Sequence, residues 1–174
     1  MPDPMTTVPD LVGPDLRVLF CGINPGTLSG ELGLHFARPG NRFWRVLHAA
    51  GFTSSVLAPS EQGSLPALGI GITNLVERVT AAASELSTEE LRGAPGRLEE
   101  KVQELRPRFV AVLGLQAYRT AFGRPRAAIG EQSEVLGAAR VWLLPNPSGL
   151  QARYQMGEMT ALFRDLYLAA FAPG

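Results

Sequence analysis

The chain has 174 residues, 45% of them apolar, which is enough for one well-packed core and short for two. Its sixteen basic and sixteen acidic side chains cancel, so no whole-molecule field draws it onto a polyanion; the basic set is fifteen arginines and a single lysine, Lys101. The lone cysteine, Cys21, excludes an internal disulfide and any metal or iron–sulfur site built from several thiolates.

No apolar run reaches the ~18 residues of a membrane span. The first sixteen residues, rich in Pro and Asp, lack the layout of a signal peptide, so a cytoplasmic protein with no membrane partner is expected. Residues 1–16 read as a flexible N-terminal segment and 17–174 as one domain. Residues 17–23 (RVLFCGI) form an apolar, partly β-branched run stopped by Asn24-Pro25-Gly26, the pattern of a buried strand ending in a turn. A Gly-rich loop follows. Residues 41–50 place Phe43, Trp44, Leu47 and Ala50 at helical spacing and end at Gly51, which reads as a C-terminal cap. Residues 69–73 (GIGIT) read as a second strand, and 88–105 as an amphipathic helix with Thr88 as its N-cap, closed by Pro107. Residues 109–113 (FVAVL) make a third buried strand, with a short helix near 116–122; 141–144 (VWLL) make a fourth, and a final helix covers 158–171. Continuous apolar strands alternating with helices predict an α/β fold, three-layer α/β/α, around a central, mostly parallel sheet of four or five strands.

Open sheets of this kind bind ligands outside the carboxyl ends of their strands. That rim receives Asn24-Pro25-Gly26 after the first strand, Thr73-Asn74 after the second and Asn146-Pro147-Ser148-Gly149 after the fourth. Asn24 is the first candidate for chemistry. An amide orients water but is a weak proton acceptor, which suits a reaction whose leaving group departs early; a purely structural Asn-Pro-Gly turn accounts for the same residues. Phe36 is placed either to stack on a flat ring or to pack in the core, and Leu150 has the form of a wedge for a base stack. His35 and His48 are of the usual general-base type. Glu77 is the carboxylate nearest the Thr73-Asn74 turn, with a surface ion pair as its other reading. Arg38, Arg42, Arg45 and Arg119, Arg124, Arg126 form local clusters able to meet phosphate. Neither a Walker lysine nor a nucleophile elbow is present.

Four motifs, GINPG at 22–26, HFARPGNRFW at 35–44, GITNLVERVT at 71–80 and LPNPSGL at 144–150, stand in an order and separation that resembles the mismatch-specific uracil-DNA glycosylase family, which includes thymine-DNA glycosylase. The resemblance covers about 17–171. It implies a monomeric, monofunctional enzyme that binds double-stranded DNA carrying a mismatched or damaged base, flips that base out and hydrolyses its N-glycosidic bond without metal or cofactor. It further implies Asn24 as the residue that positions the attacking water, Ile23 and Gly26 as main-chain contacts to the flipped uracil, Phe36 as the stacking aromatic, and Thr73 and Asn74 as pocket residues. Asn146, Ser148, Gly149 and Leu150 map to the loop that fills the vacated space and touches the widowed guanine. Arg153 maps to the arginine beyond that loop, one position further along than in the family's pattern. Glu77 would support the pocket from behind. A non-catalytic protein that binds a mismatch or a planar ligand on the same rim is the alternative.

Overall fold

The structure, a computed structural model, describes residues 7–148 and 153–172. Five strands, β1 (Val18–Gly22), β2 (Ile70–Asn74), β3 (Phe109–Leu113), β4 (Gly130–Leu136) and β5 (Ala139–Leu144), form one sheet in the order β2-β1-β3-β5-β4. The β1–β2, β1–β3 and β3–β5 pairings are parallel, and β4 runs antiparallel to β5 at the edge. All five residues of each of β1, β2 and β3 are buried, as strands covered on both faces require of runs such as VLFCG and FVAVL.

Among the described residues six α-helices accompany the sheet: α1 (Thr27–Leu32), α2 (Phe43–Ala49), α3 (Thr88–Arg92), α4 (Ala94–Leu105), α5 (Leu115–Ala121) and α6 (Met156–Phe171). On one face Phe20, Ile72 and Ala111 pack against Phe43 and Leu47 of α2 and Phe163 and Leu166 of α6. The Phe20 ring sits at the centre of that layer, with its centroid 5.4 Å from those of Phe43 and Phe52. On the other face Cys21, Val110, Val112 and Leu143 meet Leu98 and Val102 of α4 and Ala117 and Tyr118 of α5. Each buried Val, Leu, Ile or Phe among these contributes about 1.5–3 kcal/mol by leaving water. Burial drives the Cys21 thiol pKa far up, so this residue is an inert part of the core. Among the described residues no helix is long and apolar enough to cross a membrane.

The three-layer α/β/α architecture expected from the strand and helix pattern is the one observed, with five strands. The differences have local causes. The edge strand β4 (GEQSEVL) is polar and alternates half-buried with exposed positions, so it has no apolar run to announce it. The Gly-rich loop after β1 contains α1, which begins after Gly26 and stops at Gly33 in the left-handed region. The helix expected over 88–105 is two helices joined at Gly93, beside Pro95, whose missing N–H cannot continue a helix from upstream. Its N-cap is Ser87, not Thr88. The Ser87 hydroxyl accepts from the Glu90 amide at 3.0 Å, and the Glu90 carboxylate accepts from the Ser87 amide at 3.0 Å.

Residues 7–16, expected as the end of a flexible segment, are fixed to the sheet. Leu11 donates to the Ile72 carbonyl at 2.9 Å and accepts from the Ile72 amide at 2.8 Å, and Val8 and Leu16 are buried. The chain leaves β1 toward the α2/α6 face and leaves β3 toward the α4/α5 face. A crevice therefore opens at the carboxyl ends of these neighbouring strands.

Candidate active site

β1 and β2 finish in register, Gly22 opposite Asn74, and a cavity of about 500 Å³ opens at this rim. Ile23, Asn24, Gly26, Phe36 and Asn74 line it, together with Asn146 and Ser148 from the loop after β5. Three loops that are far apart in sequence meet here because their strands are parallel.

Asn24 is held by its nitrogen. Nδ2 donates to the Arg78 carbonyl at 2.8 Å and to the Thr80 hydroxyl at 2.8 Å. A main-chain carbonyl can only accept, so the amide has one orientation, and Oδ1 is left without a protein partner among the described residues. Thr80 gives its own proton to the Ala82 carbonyl at 2.8 Å, and its amide donates to the Pro25 carbonyl at 3.1 Å, tying residues 78–82 to the Asn-Pro-Gly turn. Thr80 also lines the cavity. Its partner in the site is 56 positions away, and no local pattern marks that pairing.

Phe36 has φ +50°, a sparsely populated conformation for a residue with a side chain, of the kind that a surrounding structure must impose. Trp44 Nε1 donates to its carbonyl at 3.3 Å, and its ring stacks on Phe43 with centroids 4.3 Å apart. Gly22 lies beneath this ring. A Cβ there would stand 2.6 Å from Asn74 Oδ1 and 3.3 Å from Phe36 Cε1, so only glycine lets the amide and the ring pack together. A Cβ on Gly26 would meet nothing within 4 Å, so the main chain of the turn is open to a ligand.

His35 lies in the cavity wall, 2% exposed, with Nε2 2.9 Å from the Pro9 carbonyl. Because that carbonyl only accepts, Nε2 carries the proton. Burial lowers the pKa of the ring, with the Pro9 bond opposing, so the imidazole is neutral at pH 7. His48 is bound through Nδ1 to the Thr53 carbonyl at 3.0 Å and does not line the cavity.

Not every expected residue joins the site. Thr73 does not line the cavity: successive residues of a strand face opposite ways, and the one that enters is Asn74. The Thr73 hydroxyl donates to Asp10 Oδ1 at 2.8 Å and accepts from Lys101 Nζ at 2.9 Å. Glu77 is exposed, lies outside the cavity, and is 4.0 Å from Lys101, while Arg78 pairs with Glu90 at 2.8 Å. Arg153 is exposed and also outside the lining set, and Gly149 and Leu150 lie outside the described residues. The Ser148 amide donates to Asn146 Oδ1 at 3.0 Å. Of the arginine clusters, Arg38 lines the cavity, whereas Arg119 donates to the Ala127 carbonyl and Arg124 pairs with Glu134 on the α5/β4 side. Among the described residues no group of three or more His, Cys, Asp or Glu side chains could hold a metal ion.

A mostly parallel α/β/α sheet, with an asparagine amide and an aromatic ring facing one cavity at its switch point, defines the class of protein. The chain matches the uracil DNA glycosylase superfamily over residues 9–171, and it belongs to that superfamily. Its fold is similar to the solution NMR structure of a candidate uracil DNA glycosylase from Methanosarcina acetivorans, with a TM-score of 0.61 and 22% identity over 94% of this chain and 98% of that one.

Proposed function

We propose that this superfamily member is a monofunctional, mismatch-specific uracil-DNA glycosylase, acting as a cytoplasmic monomer in base-excision repair. Its substrate is double-stranded DNA carrying a mispaired or damaged pyrimidine, G·U foremost, and it uses no metal or other cofactor. The observation that carries this reading is the oriented Asn24 amide. Its nitrogen is committed to Arg78 and Thr80, and its oxygen is left to accept from a water in a cavity that also holds Phe36 and Asn74.

In this reading the flipped uracil stacks on Phe36, the Asn74 amide meets its polar edge, and main-chain groups of Ile23 and Gly26 approach its oxygens. The C1′–N1 bond breaks with its electron pair passing to the uracil ring, where backbone donors stabilise the developing charge. The water held by Asn24 then bonds to the oxocarbenium-like C1′ and loses its proton to solvent, while the departed uracil anion takes up a proton from solvent at N1, leaving an abasic site and free uracil. An amide cannot deprotonate water in advance, so base departure must precede attack, and rates should be modest beside those of a carboxylate-bearing site. Asn146, Ser148, Gly149, Leu150 and Arg153 would belong to the face that enters the duplex and contacts the widowed base, with Leu150 holding the gap open. Selectivity arises in part because a mismatched base costs less to extrude.

The test is incubation with labelled duplexes carrying G·U, A·U, G·T or G·ethenocytosine, followed by alkaline cleavage at abasic sites. Strand cleavage is expected for G·U first. No cleavage on any of the four would sink the proposal.

A further inference from the structure

The N-terminal stretch, which reads as a tail, is built into the wall of the cavity. Val8 lines the cavity and is 6% exposed. The three residues after it are each tied to a different part of the fold. The Pro9 carbonyl accepts from His35 Nε2 at 2.9 Å. Asp10 accepts from the Thr73 hydroxyl at 2.8 Å and pairs with Lys101 Nζ at 2.8 Å. Leu11 exchanges two main-chain hydrogen bonds with Ile72.

Two of these anchors adjoin the cavity itself, because His35 is in its wall and Thr73 is the neighbour of Asn74. The chain's only lysine is spent on this fastening. Its side chain is 25% exposed and its ammonium group lies against both Asp10 and Thr73, so it ties α4, β2 and the N-terminal stretch together. With Pro9, Asp10 and Leu11 pinned in succession, residue 8 cannot retreat, and packed interiors do not yield to added volume. The valine side chain has no donor or acceptor, so it can discriminate among bases only by shape.

We propose that Val8 is a specificity-determining residue that limits the size of the base the cavity admits, and that the Asp10–Lys101–Thr73 latch is what holds it in place. This inference rests on the glycosylase reading. A methyl group in an apolar pocket changes selection between substrates by about 10- to 200-fold, so two methyl groups at position 8 are enough to set a size limit.

The experiment compares release of uracil, 5-bromouracil and ethenocytosine, each opposite guanine, by the full-length protein and its variants. The enlarged bases carry their bulk on different edges of the ring. In Val8→Ala the rate for at least one enlarged base should rise about tenfold relative to uracil, and in Val8→Leu that ratio should fall. Lys101→Met, which frees the latch, should shift the ratio in the same direction as Val8→Ala. A purely structural role for the segment would lower all three rates together and leave the ratios unmoved. Ratios within about twofold of wild type in both Val8 variants overturn the proposal. A wild-type protein that releases none of the bases instead removes the glycosylase reading on which it stands.

Discussion

The Thr80 hydroxyl lies 2.8 Å from the Asn24 amide nitrogen and gives its own proton to the Ala82 carbonyl, so it can meet Asn24 only as an acceptor. This pairing decides which end of the Asn24 amide is left for water. Thr80→Val removes the acceptor while the Arg78 carbonyl still holds the nitrogen. The loss should be about 1 kcal/mol of orientation, lowering kcat about 5- to 10-fold with little change in KM for a G·U duplex. Thr80→Ser keeps the hydroxyl and should restore the rate. Asn24→Ala removes the acceptor for water and should abolish release while leaving duplex binding largely intact. Steady-state kinetics on one duplex checks all three variants, and a wild-type kcat in Thr80→Val would remove Thr80 from the site.

Gly22 is the floor of the same cavity, and the space above its α-carbon is already filled by Asn74 Oδ1 and the Phe36 ring. Gly22→Ala should therefore push apart the two side chains that would meet the base. Overpacking of this kind costs about 1–3 kcal/mol of stability. The loss of base release should exceed what that destabilisation explains, because the displaced groups are those of the pocket. Urea unfolding alongside single-turnover release separates the two effects. Gly26→Ala, whose Cβ would meet nothing within 4 Å, should leave stability nearly unchanged, making it the control for folding.

The parts of this fold legible in the sequence are those set by continuous apolar runs. The run RVLFCGI ends at a turn, and FVAVL is buried throughout, so β1 and β3 and the rim they share follow from the residues alone. Once the strands are parallel, Asn24, Asn74 and Asn146 must converge, and they do. What was not legible depends on partners distant in sequence. Nothing near Thr80 points to Asn24, and nothing near Asp10 points to Lys101. The Pro- and Asp-rich N-terminal stretch has no periodicity to betray that Leu11 pairs with Ile72. Thr73 is a different case, because the alternation of a strand separates it from Asn74 and that signal was present in GIGITN.

Arg42 braces the loop proposed to enter the duplex. Its main-chain amide donates to the Pro147 carbonyl at 2.9 Å, and its guanidinium donates to the Tyr154 carbonyl at 2.6 Å and the Ser148 carbonyl at 3.4 Å. One side chain thus spans both described ends of that loop. Arg42→Met keeps the apolar stem and removes the donors, so the protein should fold while the loop ends lose their anchor. Affinity for a duplex containing an abasic site should weaken about tenfold, equivalent to 1.4 kcal/mol. Equilibrium titration measures this, and a thermal melt shows whether the fold itself has suffered. Unchanged affinity would separate Arg42 from DNA binding.

His35 gives the protein a stability that depends on pH above the range where its carboxylates titrate. Its ordinary pKa of 6.5 is lowered by burial, so the folded state binds fewer protons than the unfolded one as pH falls below 6.5. The stabilising contribution is therefore fully present above that value and is lost as pH drops through the lowered folded pKa. Glu90, Glu131 and Glu134 are lowered by hydrogen bonds from Arg78, Arg140 and Tyr118, so their contributions are present above the ordinary carboxylate value of 4.5 and decline only below it. Between these ranges His35 contributes a slope. His35→Gln, which retains a donor for the Pro9 carbonyl and cannot titrate, should flatten the urea midpoint between about pH 5 and 6.5. An equally steep decline in His35→Gln would show that another group titrates there.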